Sequence, residues 1–102
     1  MSADRYTGKP FLRLIDSFVL DAIGALDDQA KEGLVTIEPK LEEVYGPHDG
    51  WQDVVTKNMN FPSDLPEKIE QIWLEGSARM REQGIEPDPH EFTRQFVDSN
   101  FL

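Results

Sequence analysis

Pro10-Phe11-Leu12-Arg13-Leu14-Ile15-Asp16-Ser17-Phe18-Val19-Leu20-Asp21-Ala22-Ile23-Gly24-Ala25-Leu26 is the stretch on which the reading of the fold turns. At about 100° per residue, Phe11, Leu14, Ile15, Phe18, Val19, Ala22, Ile23 and Leu26 cover an arc of about 180°, wider than the roughly 100° stripe of a helix lying on a protein surface. Pro10 suits the first turn of such a helix, because its missing N–H would have no intrahelical acceptor there in any case. The stretch predicts a helix from Pro10 to near Leu26 that other helices wrap at the centre of a core.

Working outward, Gly46-Pro47-His48-Asp49-Gly50, Phe61-Pro62-Ser63-Asp64 and Gly84-Ile85-Glu86-Pro87-Asp88 read as turns, and every segment between them carries helical spacing. No alternating or β-branched run is long enough to predict a strand. The second segment, Asp28 to Tyr45, places Ala30, Leu34, Ile37, Leu41, Val44 and Tyr45 on one stripe, with Gly46 as its C-terminal cap. Pro39 falls opposite that stripe, so the reading is one helix kinked at Pro39, with the freed Val35 carbonyl on the wet side; two short helices meeting at Glu38 are the alternative.

Three further helix starts share an acidic capping pattern: Asp49 with Gln52, Asp64 with Glu67, and Asp88 with Glu91. They lead into inner faces formed by Trp51, Val54, Val55 and Met59, by Leu65, Ile69, Ile72, Trp73 and Met80, and by Phe92, Phe96 and Val97. Phe101 and Leu102 are expected to fold back onto the core. The predicted architecture is all-α, a compact single-domain bundle of four to five helices over residues 10–102, preceded by an N-terminal arm over residues 1–9.

Composition narrows the function. The 102 residues fit one domain, and an apolar fraction of 38% with 10% aromatic residues suffices for a modest core. The absence of cysteine removes disulfides, thiolate nucleophiles and thiol-ligated metal centres. The longest strongly apolar stretch, Phe18 to Leu26, is interrupted by Asp21 and is about half the ~20 residues that span a bilayer, so no membrane partner is expected. The first residues do not resemble a secretion signal, which points to the cytoplasm. Twenty acidic against ten basic side chains give a formal charge of −10, which repels nucleic acid and anionic lipid and attracts a basic protein.

Chemistry is sparsely supported. His48 and His90 each stand beside carboxylates at a predicted helix start, yet neither belongs to a metal-binding spacing, and Asp49, Asp88 and Glu91 are accounted for as helix-start residues. No serine sits in a nucleophile motif, and Thr7-Gly8-Lys9-Pro10 lacks the upstream glycine and the following Ser or Thr of a phosphate loop. No catalytic, metal or cofactor residue is assigned, and no cofactor is implied. Leu20 and Leu74 fall outside the predicted inner faces; with Trp51 nearby they would form an apolar patch in an acidic rim, the usual makeup of a protein-binding surface.

Phe61-Pro62-Ser63-Asp64-Leu65-Pro66-Glu67-Lys68-Ile69, following a loop with His48-Asp49-Gly50, resembles the colicin nuclease immunity proteins, small acidic helical proteins that block a basic toxin. The paired tyrosines of that family's interface have no equivalent here, where Phe61 stands alone after Asn60. The likeness is one of helix-capping chemistry and carries over no site residue. The sequence thus favours a non-enzymatic interaction domain of a bacterial-type cytoplasmic protein, with a basic protein partner. A small-molecule or metal site near His48 and His90 and a self-associating subunit are the alternatives.

Overall fold

The computed structural model describes residues 10–101, so the arm over residues 1–9 and the placement of Leu102 lie outside the described residues. Five helices follow one another: α1 Pro10–Ala22, α2 Asp28–Tyr45, α3 Trp51–Met59, α4 Leu65–Glu82 and α5 Pro89–Asn100. Among the described residues there is no strand. α1 packs against α3, α4 and α5, and α2 lies on α3.

The central position of α1 follows from its sequence and exceeds what the periodicity predicts. Leu12, Leu14, Ile15, Phe18 and Val19 are buried, and so are Asp16 and Ser17. From Phe11 to Ala22 only Arg13 is exposed. The Ser17 hydroxyl satisfies itself inside the helix by donating to the Arg13 carbonyl at 2.8 Å.

The helix ends at Ala22 rather than near Leu26. Gly24 takes a left-handed φ of 73°, its N–H donates to the Asp21 carbonyl, and the Ala25 N–H donates to that of Leu20. This pair of bonds closes a helix on a residue free to turn left-handed. Leu26 is nevertheless buried, reaching the core from the loop.

α2 continues as one helix through Pro39, capped at its start by the Asp27 carboxylate, which accepts from the Ala30 N–H at 2.7 Å. Its apolar stripe is only partly used. Leu34 is buried, Ala30, Ile37, Leu41 and Tyr45 are half-buried, and Val44 is 65% exposed, against the expectation that it points inward. Val44 lies at the edge of a stripe whose covering neighbour is α3. Ile72 on α4 is exposed for the same reason, at the edge of the face that Ile69 centres on α1.

Of the three anticipated acidic caps only Asp88 acts as one, its Oδ1 accepting from the His90 and Glu91 N–H groups. Asp64 occupies the cap position of α4 without a side-chain cap bond, and its carboxylate meets Lys68 at 3.3 Å instead. At α3 the cap residue is Gly50, not Asp49. The cap bond comes from another helix: Glu38 of α2 accepts from the N–H of buried Trp51 at 3.0 Å. Gly50 makes this possible twice over, since it adopts a φ of 120° and any Cβ there would stand 3.2 Å from the Glu38 carboxylate.

A line of aromatic rings ties the remaining elements together. Phe18 meets Phe61, Phe61 meets Phe101, Phe101 meets Phe96, Phe96 meets Phe92 and Phe92 meets Trp73, with centroids 5.1–5.9 Å apart. Such pairs add roughly 0.5–1.5 kcal/mol each beyond area burial. Phe101 therefore does return to the core, as its sequence position suggests.

Removing the Glu38 carboxylate leaves the amide of a buried residue unpaired. Glu38→Ala should destabilise the fold by about 1–2 kcal/mol in urea denaturation, whereas Asp64→Ala, which breaks only an exposed ion pair, should change it by less than about 0.5 kcal/mol. Equal effects would remove Glu38 from its role as the cap of α3.

Candidate functional site

Three clefts have a bearing on function. The first, about 320 Å³, is lined by Glu38, Leu41, Glu42, His48, Asp49, Gly50, Gln52 and Val54. Its polar groups are largely committed to structure. Glu38 holds the start of α3, the His48 ring bonds the Gly46 carbonyl through Nδ1 at 2.7 Å, and the Asp49 N–H donates to Asp53 at 3.0 Å. That last bond, reinforced by Lys57 and by the nearby His48, holds the Asp53 carboxyl below the ordinary aspartate value.

The second cleft, about 240 Å³, lies between α1 and the start of α5 and brings together Asp16, Leu20, Asp88, His90, Glu91, Thr93 and Arg94. Bonds from Arg94 and Gln95 lower the pKa of Glu91. The buried Thr93 hydroxyl has no hydrogen-bond partner. The two histidines thus line separate clefts, and among the described residues no group of three His, Asp or Glu side chains could hold a metal ion.

The third cleft differs in kind. α4 and α5 both pack on α1 and meet each other where Trp73 and Phe92 stand with centroids 5.2 Å apart. The groove between them, about 160 Å³, is lined by Trp73, Gly76, Ser77, Met80, Asp88, Glu91, Phe92 and Gln95. Ser77 is 2% exposed, and its hydroxyl has no partner. A Cβ at Gly76 would meet nothing within 4 Å. Packing therefore does not require the glycine, although glycine inside a helix costs roughly 1 kcal/mol relative to alanine. An unpaired buried hydroxyl costs about 1–3 kcal/mol. Two consecutive residues of α4 forgo stability at one spot.

Of the residues singled out in the sequence, only Leu74 is largely exposed. Leu20 is half-buried against the core and lines the second cleft. Trp51 is 3% exposed and has almost no surface to offer, while Leu74 on α4 is 52% exposed, as its position predicts. The groove itself has no mark in the apolar spacing of α4 or α5. Its only signal in the sequence is the pair Gly76-Ser77 in the middle of an otherwise strong helix.

No family model matches the chain, and no curated protein or solved structure is significantly similar to it, so the short likeness of residues 61–69 to immunity proteins extends no further. Among the described residues no helix is long and apolar enough to cross a membrane.

Thr93→Val keeps the shape of the side chain and removes an unpaired buried hydroxyl, so stability in urea should rise by about 1 kcal/mol; a fall would mean that the hydroxyl is satisfied in solution. Because the Asp53 pKa is lowered in the fold, its contribution is complete at neutral pH and disappears as the pH drops through the lowered value. Asp53→Asn should therefore reduce stability at neutral pH and flatten its decline as the pH falls through and below the ordinary aspartate range, and an unchanged pH profile would remove that role.

Proposed function

We propose that this chain is an acidic, non-enzymatic interaction domain working in the cytoplasm, and that it binds a basic protein through the groove between α4 and α5. The observation that carries the reading is in the lining of that groove, where a mid-helix glycine without a packing role adjoins a buried, unpaired serine hydroxyl. Natural domains commonly give up stability where a surface is kept for binding. The size supports a contact more than a cofactor, since about 160 Å³ is well under the roughly 300–1,000 Å³ of small-molecule pockets.

Charge supports the nature of the partner. The formal charge of −10 and the carboxylates of Asp88 and Glu91 beside the groove favour an approaching cationic surface, chiefly through the rate of encounter. The exposed Leu74 and Ile72 add apolar area to α4 outside the groove. The larger His48 cleft is the weaker candidate for a ligand, because its polar groups already join α2 to α3.

The test is capture on the immobilised chain at low salt, followed by reconstitution with the purified captured protein. A basic partner whose affinity falls steadily as salt rises is the expected result. A reconstituted partner that is acidic, or whose affinity does not respond to salt, would overturn the reading.

A further inference from the structure

Asp49-Gly50 is the one place in the sequence where an aspartate or asparagine precedes a glycine. The pair carries a chemistry of its own. An aspartyl side chain ends close enough to the next main-chain nitrogen to close a five-membered ring with it. Closure is normally prevented by a side chain on the following residue, by an N–H already donated, or by a backbone held in a helix.

None of the three protects Asp49. Gly50 has no side chain, and among the described residues its N–H donates no hydrogen bond. The pair lies between α2 and α3, in neither helix. Asp49 is exposed, and among the described residues its carboxylate enters no hydrogen bond or ion pair, because Gly50 takes the cap position of α3 and Glu38 supplies the acceptor. The Asp49 N–H is held by Asp53 at 3.0 Å, but that bond is on the opposite side of the residue from the one that would form.

The fold also keeps the pair in place. With a φ of 120° and a Cβ position 3.2 Å from the Glu38 carboxylate, residue 50 must be glycine. Asp16-Ser17, Asp21-Ala22 and Asp98-Ser99, where other small residues follow aspartate, all lie inside α1 or α5, with the following N–H turned into the helix.

We propose that Asp49-Gly50 is a site of covalent self-modification, where the chain cyclises to a succinimide and reopens as isoaspartate. In the first step the Gly50 nitrogen bonds to Asp49 Cγ, the Cγ–OH bond breaks, and the proton of the nitrogen leaves with that hydroxyl as water. In the second, water adds at the former main-chain carbonyl of Asp49, whose bond to the Gly50 nitrogen breaks as the nitrogen takes a proton. The chain then runs through Cγ, with no net change in composition and no redox partner. One extra methylene now precedes Gly50, whose carbonyl accepts from Val54 at 3.2 Å, and Trp51, whose N–H meets Glu38. Isomerisation therefore loosens the seam between α2 and α3 and leaves the α4–α5 groove intact.

The test warms the whole chain at neutral pH and follows it by peptide mapping with mass spectrometry and by methyl transfer from S-adenosylmethionine with an isoaspartyl methyltransferase. The peptide containing Asp49 should first lose one water, then regain its original mass at a new retention time and accept the methyl label. Peptides containing Asp16, Asp21 and Asp98 should not. Asp49→Glu, which would have to close a six-membered ring, should fold as the parent chain does and stay unlabelled. The isolated isoaspartate form should lose about 5- to 30-fold in its folding equilibrium constant, the effect of leaving the buried Trp51 amide unpaired.

Label in the urea-unfolded chain and none in the folded one would overturn the site, since the fold would then protect it. Label spread equally over the Asp16, Asp21 and Asp98 peptides, or persisting in Asp49→Glu, would overturn it as well. An isoaspartate form as stable as the parent chain would overturn the link to the seam between α2 and α3.

Discussion

Burial of α1 on nearly every side is the constraint from which the rest of the molecule follows. A helix whose residues from Leu14 to Val19 are all buried must be surrounded, and in 102 residues the surrounding helices have to be short or share their faces. Each fully buried aliphatic or aromatic side chain contributes roughly 1.5–3 kcal/mol relative to exposure, so Leu12, Leu14, Ile15, Phe18 and Val19 outweigh any other element. α3, with 9 residues, is far below the ~12–15 at which a helix is even marginal alone. It exists because Val54 and Val55 are buried in the shared core and because Glu38 of α2 supplies the acceptor its first turn lacks.

That dependence decides what the sequence reveals. The periodicity of each helix from α1 to α5 reports an apolar face, a local property, and it placed all five helices with most of their inner residues. Where it failed, the missing information was the neighbour. Val44 and Ile72 have the phase of buried residues, but among the described residues no helix covers the edges of their stripes. Leu26 is buried as expected, from a loop and not from a helix, because Gly24 can close α1 early. The end of α1 was legible in Gly24 itself; the apolar phase running past it was the stronger pattern.

Helix starts show the same division. Asp88 caps by reaching the next two amides, a bond within three residues, and it reads directly from the sequence. Asp49 and Asp64 have the same pattern and do not cap, since Asp49 loses the position to Gly50 and Asp64 turns to Lys68. The acceptor for Trp51 lies 13 residues away, and no capping rule could have named it. The carboxylates of Asp49 and Asp64, which local rules assign to capping, are therefore free of that duty, while Glu38, which local rules leave on a helix flank, performs it.

The groove between α4 and α5 was hidden for the opposite reason. Nothing periodic marks it, because it is made by an absence of side chain at Gly76 and an absence of partner at Ser77. The aromatic line from Phe18 to Trp73 stops at the groove wall. Had α4 carried alanine at both positions, the helix would gain propensity and lose an unpaired hydroxyl at no evident cost in packing. A sequence that keeps the less stable pair beside the groove that Trp73 and Phe92 line has a physical conflict at that site. Such local conflicts inside an otherwise consistent fold are where function is most economically sought.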